Sequence, residues 1–395
     1  MKKILLINDH STFGGGGDTA LFQEREILLQ NNYEVYTLAF DKEPINDEYV
    51  ISFTESKDSK ITKLRKFFGS ATIYDFILKT IDKIQPDIVH CHLISKYPTS
   101  VFKALKGRKV ITTLHGPNFF CTSSWGGLKN GAACEQGIGL KCFTRGCASL
   151  STTMLYSYMS HKVWKDLSNN TSLFHCPSRN IYNTAKRLGL KNLIYKPLGI
   201  DIQFELPVIK LHNARPILLF VGAIAEVKGI KILLESMVGI VKAIPNVLLK
   251  IAGRGVLSNW VKEYIYEHSL EDNVEVLGFV PHAKIRELYI EANIFLMPSI
   301  WQEQFGLVGT EALACETPCI ASSVGGIPEW LQHNQSGFLV PPHGVEELTE
   351  ATIKLLNSPE LQRSFGKYGR EFVLTQYSSN NYKTNILEMI DKVTE

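Results

Sequence analysis

The sequence predicts an α/β protein made of two doubly wound parallel-sheet domains with a cleft between them. Three observations carry this. Short, near-continuous apolar runs alternate with amphipathic helical stretches along almost the whole chain, and strands of that kind are covered by helices on both faces. The pattern restarts once: after Pro197-Leu198-Gly199-Ile200-Asp201 comes a loose stretch to Pro216, then a fresh strand, ILLFVG. A chain of 395 residues also has room for two such domains.

In chain order, the runs that read as strands are Lys3–Ile7, Val35–Phe40, Asp87–Cys91, Val110–Leu114 and Leu173–Cys176 before the restart. Ile217–Val221, Val247–Ala252, Val274–Leu277, Ile294–Met297, Cys319–Ala321 and Gly337–Val340 follow it. No sequence repeat accompanies the restart. Doubly wound sheets bind ligands at the carboxyl ends of their strands. The loops there are 8–17, 115–118, 222–229, 253–256 and 298–306. The predicted division is residues 1–198, 199–376 and a C-terminal helical stretch, 377–395.

Composition excludes several function classes. The chain is 45% hydrophobic and 21% charged, with net charge +3, so it carries no nucleic-acid signature. No apolar run approaches the roughly 18 residues of a membrane span. MKKILLIND has four apolar residues before Asn8 and Asp9, too few for a signal peptide, and reads as a first strand. A cytoplasmic protein is expected, with its eight cysteines reduced or metal-bound.

The segment PSIWQEQFGLVGTEALACETPCIAS, residues 298–322, is the most informative. Pro298-Ser299 break the strand Ile294–Met297, and Leu307–Cys315 has helical spacing. A helix N-terminus therefore opens near Gly306 from the carboxyl end of a strand. There free amides and the helix dipole can hold a phosphate. Glu303 lies before this helix and Glu311 about a turn inside it. Carboxylates repel phosphate, so their natural partners are sugar hydroxyls. An anion flanked by polyols on both sides describes a nucleotide-diphosphate sugar. Two acids at this spacing alone are a weak signal; the strand, break, glycine and helix sharpen it.

With these residues in hand, the segment resembles the Glu-x7-Glu element of glycosyltransferase family 4, the retaining enzymes of the GT-B fold. That fold has two Rossmann-like domains. The resemblance covers nearly the whole chain: KILLINDHSTFGGGGD, PDIVHCH, ITTLHG, PLGID, VGAIAEVKG, LLKIAGRG and VEVLGFVP follow in the family's order. It implies that Glu303 binds the donor sugar, Glu311 the ribose, and the amides of Phe305, Gly306, Leu307 and Val308 the diphosphate. Gly222, Gly253 and Arg254 would lie beside the nucleotide, and Gly15 and Gly16 beside the donor–acceptor cleft. His115 would stand near the donor sugar, or be a structural histidine. The final helix would return to the first domain. Same-face attack with retention is implied, the leaving phosphate helping to deprotonate the acceptor. The acceptor would be a bacterial surface glycan, lipid-linked or not. The donor base, UDP, GDP, dTDP or ADP, is left open.

Lys228 can neutralise the departing diphosphate. The family usually has Arg five residues earlier; here that position is Ala223. Arg254 is the candidate substitute. Asp-x-Asp occurs nowhere in the chain, which argues for catalysis without a cofactor metal, the helix amides and Lys228 taking its role. Asp18 reads as the N-cap of a helix over 19–30, after the glycines Gly14 to Gly17.

Cys121, Cys134, Cys142 and Cys147 are spaced x12, x7 and x4 in the glycine-rich segment 116–148. A structural zinc site, disulfides and four free thiols are the alternatives. The basic amphipathic stretch 57–68, KDSKITKLRKFF, is either a peripheral membrane contact at the inner face of the cell membrane or a solvated loop. Rival functions are a nucleotide-sugar epimerase of the same fold and a degenerate glycan-binding protein. An NAD-type oxidoreductase is disfavoured by the glycine spacing.

Overall fold

A computed structural model describes the chain except residues 12–14, 41–48, 54–68, 117–120, 122–133, 135–136 and 212–213. The described residues form two compact units, one of residues up to Pro197 together with Lys383–Glu395, the other of Leu198–Tyr382.

The first unit holds a seven-stranded parallel sheet: β1 (Lys3–Asn8), β2 (Glu34–Ala39), β3 (Val50–Ser52), β4 (Ile88–Cys91), β5 (Val110–Thr113), β6 (Leu173–Cys176) and β7 (Leu193–Tyr195). Its order is β3-β2-β1-β4-β5-β6-β7. Leu5, Leu6 and Ile7 of β1 are fully buried because the strand lies mid-sheet with helices on both faces. Sequence reading missed β3 and β7. Both are three-residue edge strands, half-buried throughout, and so carry no apolar run.

The second unit holds a six-stranded parallel sheet of β8 (Ile217–Val221), β9 (Leu248–Ala252), β10 (Val274–Gly278), β11 (Ile294–Met297), β12 (Cys319–Ser322) and β13 (Gly337–Val340), in the order β10-β9-β8-β11-β12-β13. In both sheets the chain runs outward one way, returns beside its first strand and runs outward the other way. The switch points lie between β1 and β4, and between β8 and β11. Ligands bind such sheets at those points, beyond the carboxyl ends of the strands.

Two local expectations need correction. The helix after β1 runs Gly16–Gln30 and Gly15 stands at its N-cap. Asp18 is therefore inside the first turn, where it accepts a 2.8 Å hydrogen bond from Asn8 Nδ2. The C-terminal return begins at Lys383, six residues past Tyr377. The Tyr377 carbonyl accepts the Ile200 N–H at 2.9 Å, and Tyr382 packs against Gly199, which keeps 377–382 with the second unit. The basic stretch 57–68 lies outside the described residues.

Candidate functional site

At the second switch point, two loops are stitched together. The Ile300 N–H donates to the Val227 carbonyl at 3.0 Å, which sets the loop after β11 against the loop after β8. Lys228 closes a 3-10 turn, Glu226–Lys228, and its Nζ donates to Glu303 Oε1 at 2.7 Å. The same oxygen accepts from Ser299 Oγ at 2.7 Å. Glu303 is 4% exposed, and Lys228 Nζ lies 4.6 Å from the centre of the Trp301 ring. A buried carboxylate needs such partners to remain charged. The backbone is fixed as well: the Glu303 carbonyl accepts the Gly326 N–H at 2.7 Å, and Gln302 Oε1 accepts the Gly325 N–H at 3.0 Å.

Sequence reading gave Lys228 and Glu303 separate duties. They are one ion pair. A lysine held by a carboxylate is oriented before any ligand arrives, and an incoming dianion would compete for it.

The loop ends at Gly306, φ 94°, the N-cap of the helix Leu307–Ala314. That left-handed backbone suits glycine, and a Cβ there would sit 3.1 Å from Met297. The Gly309 N–H folds back to the Gly306 carbonyl at 2.9 Å. The amides of Leu307 and Val308, at the first two positions, have no helical acceptor. Phe305 is 2% exposed, and its carbonyl accepts from Trp330 Nε1.

Glu311 is 3% exposed. Tyr289 OH donates to its Oε2 at 3.1 Å, and His282 Nε2 lies 3.3 Å from its Oε1. The hydrogen bond to Glu311, helped by the charges of Glu311 and Asp201, raises the His282 pKa against its burial. Burial first, and then the Glu311 charge, push the Tyr289 phenol well above its usual range, so it stays a donor. Neither residue was singled out from sequence. His282 follows Pro281 directly after the VEVLGFVP segment, and nothing in that spacing points to Glu311.

The loops after β8 and β9 touch backbone to backbone. The Gly222 N–H donates to the Ala252 carbonyl and the Ile224 N–H to the Arg254 carbonyl, each at 3.0 Å. A Cβ on Gly253 would fall 1.8 Å from the Gly222 carbonyl oxygen. Arg254 is exposed, its guanidinium 6.0 Å from the Phe279 ring centre. Its loop therefore lies directly against Ala223.

In the first unit, Gly15 and Gly16 are exposed, and a Cβ on either would meet nothing within 4 Å. His115 leaves β5 half-buried. Its Nε2 is 3.0 Å from His92 Nδ1, and the two rings stack at 5.2 Å. Burial first, then the neighbouring histidines, push its pKa well below normal. Among the described residues, one group of three His, Cys, Asp or Glu brings its ligand atoms within 4.8 Å of one another: Glu24, His90 and His92. Sequence reading missed it, because Glu24 is 66 residues from His90. The available signal was two histidines two apart in the otherwise apolar run IVHCH.

Among the described residues no disulfide involves Cys134, Cys142 or Cys147. Cys121 and Cys142 are buried, Cys134 and Cys147 half-buried. Burial and then the Cys142, Cys121 and Cys134 thiols raise the Cys147 pKa, so the four share one neighbourhood. The other cysteines, Cys91, Cys176, Cys315 and Cys319, are core residues. No helix among the described residues is long and apolar enough to cross a membrane.

Comparison with known proteins fits this arrangement. Residues 14–204 match the model described as Glycosyltransferase Family 4, and residues 201–372 match Glycosyl transferases group 1. An uncharacterized glycosyltransferase of Methanocaldococcus jannaschii is 30% identical over 382 residues, covering 94% of this chain and 93% of that protein. Several curated relatives match over only about half their length. Spore coat protein SA of Bacillus subtilis is 32% identical over 194 residues, 46% of this chain and 50% of that one. Among solved structures, sucrose-phosphate synthase from Thermosynechococcus elongatus superposes with TM-score 0.79 at 22% identity, covering 100% of this chain and 99% of that one. HepE of Anabaena, in complex with UDP and glucose, superposes with TM-score 0.74 at 16% identity, covering 99% and 100%. Members of the family generally need no cofactor for catalysis. With two parallel α/β sheets, a helix N-terminus and a Lys–Glu pair at the second switch point, and matches along nearly its whole length, the chain belongs to glycosyltransferase family 4 and has the GT-B fold.

Proposed function

We propose that the protein transfers a sugar from a nucleotide-diphosphate sugar to an acceptor hydroxyl, with retention, in the assembly of a bacterial surface polysaccharide. The observation that carries this is the Lys228–Glu303 ion pair, four residues before a helix whose first amides, Leu307 and Val308, have no acceptor within the helix, at a switch point. A diphosphate would take those amides and draw Lys228 Nζ, whose charge then offsets the leaving group. Glu303 and Ser299 would turn to donor-sugar hydroxyls. Glu311, held by Tyr289 and His282, would accept from the ribose. In the same-face scheme the acceptor oxygen bonds to the anomeric carbon as the bond from that carbon to phosphate oxygen breaks. The acceptor's proton passes to the leaving phosphate.

UDP is the favoured base, because the HepE structures were solved with UDP and with UDP-glucose. A cytoplasmic site at the inner face of the cell membrane suits a lipid-linked acceptor. Peripheral contact is supported by exposed Leu150, Met154, Leu155 and Tyr158 on the helix Leu150–Asn170. The four-cysteine neighbourhood is read as a structural zinc site. Zinc analysis of the purified protein should then give one ion per chain, lost in Cys142→Ser together with thermal stability.

The test is a thermal-shift and product screen over UDP-, GDP-, dTDP- and ADP-sugars, with and without EDTA. A ligand that binds only the folded state must raise the melting temperature. Stabilisation by a UDP-sugar, with EDTA-insensitive slow release of free sugar, is expected. No shift with any nucleotide sugar would defeat the reading, and interconversion of the donor without acceptor would make the protein an epimerase.

A further inference from the structure

Seven groups of the first unit line up from His115 to the Lys196 carbonyl, joined by hydrogen bonds except between His92 and Glu24, whose facing atoms are 3.3 Å apart. They are His115 and Thr113 at the end of β5, His92 and His90 at the end of β4, Glu24 on the Gly16–Gln30 helix, His175 on β6 and the Lys196 backbone past β7. Glu24, His90, His92, Thr113 and His175 are each at most 2% exposed. The chemistry of the partners fixes where each proton sits.

A carbonyl only accepts, so His175 Nε2, 2.7 Å from the Lys196 oxygen, carries a proton. Burial pushes His175 down to about 3, so the ring is neutral and its Nδ1 accepts from the Thr113 hydroxyl at 2.8 Å. The single hydroxyl proton is thereby engaged. Thr113 Oγ1 must accept from His90 Nε2, at 2.7 Å. Glu24 Oε1 lies 2.6 Å from His90 Nδ1. Burial raises the Glu24 pKa, but the adjacent His90 and His92 rings outweigh it and hold it well below the usual carboxylate range. Glu24 is thus a carboxylate and only accepts. Both His90 ring nitrogens therefore face an acceptor, Glu24 Oε1 on one side and Thr113 Oγ1 on the other.

Glu24 Oε2 lies 3.3 Å from His92 Nε2, and neither atom makes a hydrogen bond in the described structure. A ring lone pair facing a carboxylate oxygen is repulsive, so neutral His92 holds its proton on Nε2. Burial and then the adjacent His90 ring keep it neutral. Its Nδ1 is left to accept from His115 Nε2 at 3.0 Å. His115 directs its proton inward and keeps Nδ1 unprotonated.

We propose that Glu24 and His90, acting through His92, are positioning residues that hold His115 as a neutral hydrogen-bond acceptor at Nδ1, the form that takes a hydrogen bond from a donor-sugar hydroxyl. The sugar contact rests on the function proposed above; the proton order does not. A His115 fixed in this way selects for a hydroxyl and against a ring oxygen or an ether at the position it meets.

The experiment is long-range proton–nitrogen NMR on ligand-free protein labelled with nitrogen-15 histidine, the His115 signals assigned by loss in His115→Gln. At pH 7.5 His115 should show a protonated Nε2 and an unprotonated Nδ1. A proton on Nδ1, or an imidazolium, overturns the proposal. So does a stoichiometric divalent metal lost in His92→Gln, since a metal would take the Nε2 lone pair. In Glu24→Gln, and in His90→Gln should the first fail to fold, the fixed tautomer should give way to a mixture and the donor KM should rise several-fold with kcat less affected. An unchanged tautomer in a folded variant removes Glu24 and His90 from the account. A correct wild-type tautomer with no change of donor KM in His115→Gln instead breaks the sugar contact and leaves the proton order standing.

Discussion

At the carboxyl end of the first sheet stand four histidines, one glutamate and one threonine, joined by hydrogen bonds and a 3.3 Å Glu24–His92 contact, all buried except the half-buried His115. At the corresponding place on the second sheet stand a lysine paired to a glutamate and the N-terminus of the helix Leu307–Ala314. Apart from the extra edge strand β7, strand order about the two switch points is the same, so the backbone there does not distinguish them. The side chains do. The first end is arranged to hold imidazole rings in defined hydrogen-bonding roles, the second to set a lysine and helix N-terminal amides beside buried carboxylates. One fold thus supplies two platforms, and the chemistry is set by what stands on them.

The sharpest way to break this comparison is at the ion pair. Lys228→Ala and Glu303→Ala should each lower kcat/KM by about 10²–10³, the scale of losing one preorganised charge partner. Steady-state rates with the best donor from the screen measure it, and circular dichroism checks the fold. Residues that act as a unit are non-additive. The double variant should therefore lose little more than the worse single one. Full additivity would mean the pair is a resting contact with no joint role.

Acid should separate the two platforms next. His175 falls to about 3 in the folded protein, against about 6.5 unfolded. The unfolded chain binds more protons below pH 6.5, so stability is lost as pH falls from there toward 3. At pH 5, His175 alone should cost about 2 kcal/mol. His92 and His115, also lowered, act in the same direction, and so does Glu24 below about pH 4.5. Urea unfolding at pH 7.5 and pH 5.0 measures the sum. His175→Asn should flatten the dependence, and a flat wild-type profile would mean the histidines are already charged. On the second platform His282 is raised, so its contribution is present below its unfolded pKa and fades as pH rises through the folded one, the opposite sign.

These contrasts were unequally legible in the sequence. The central strands were plain because each is a continuous apolar run buried on both faces. The edge strands Val50–Ser52 and Leu193–Tyr195 were not, since half-burial removes that run. On the second platform one continuous stretch, residues 294–314, holds the strand, loop, helix and both glutamates, so local reading brought Glu303, Gly306 and Glu311 together. It did not reach Tyr289 or His282, which come from another helix. The first platform is assembled from five separate segments. Only His115 was reached, by resemblance, and the partners that fix its protons become neighbours only when β1, β4, β5 and β6 pair.

A smaller effect tests the position where this chain departs from its family. Under the function proposed above, Ala223 offers the diphosphate no cation, and the Ile224 N–H donates to the Arg254 carbonyl, which sets the Arg254 loop against it. The Arg254 guanidinium is exposed, so water and salt screen it and its share should be about 1 kcal/mol or less. Arg254→Ala is expected to lower kcat/KM by about fivefold at low salt, with little change at high salt. Ala223→Arg in that background should restore the rate if both positions address the same charge. A loss that Ala223→Arg does not repair would place Arg254 on the base or ribose instead. No loss at all would mean that Lys228 and the helix amides carry the diphosphate without a second cation.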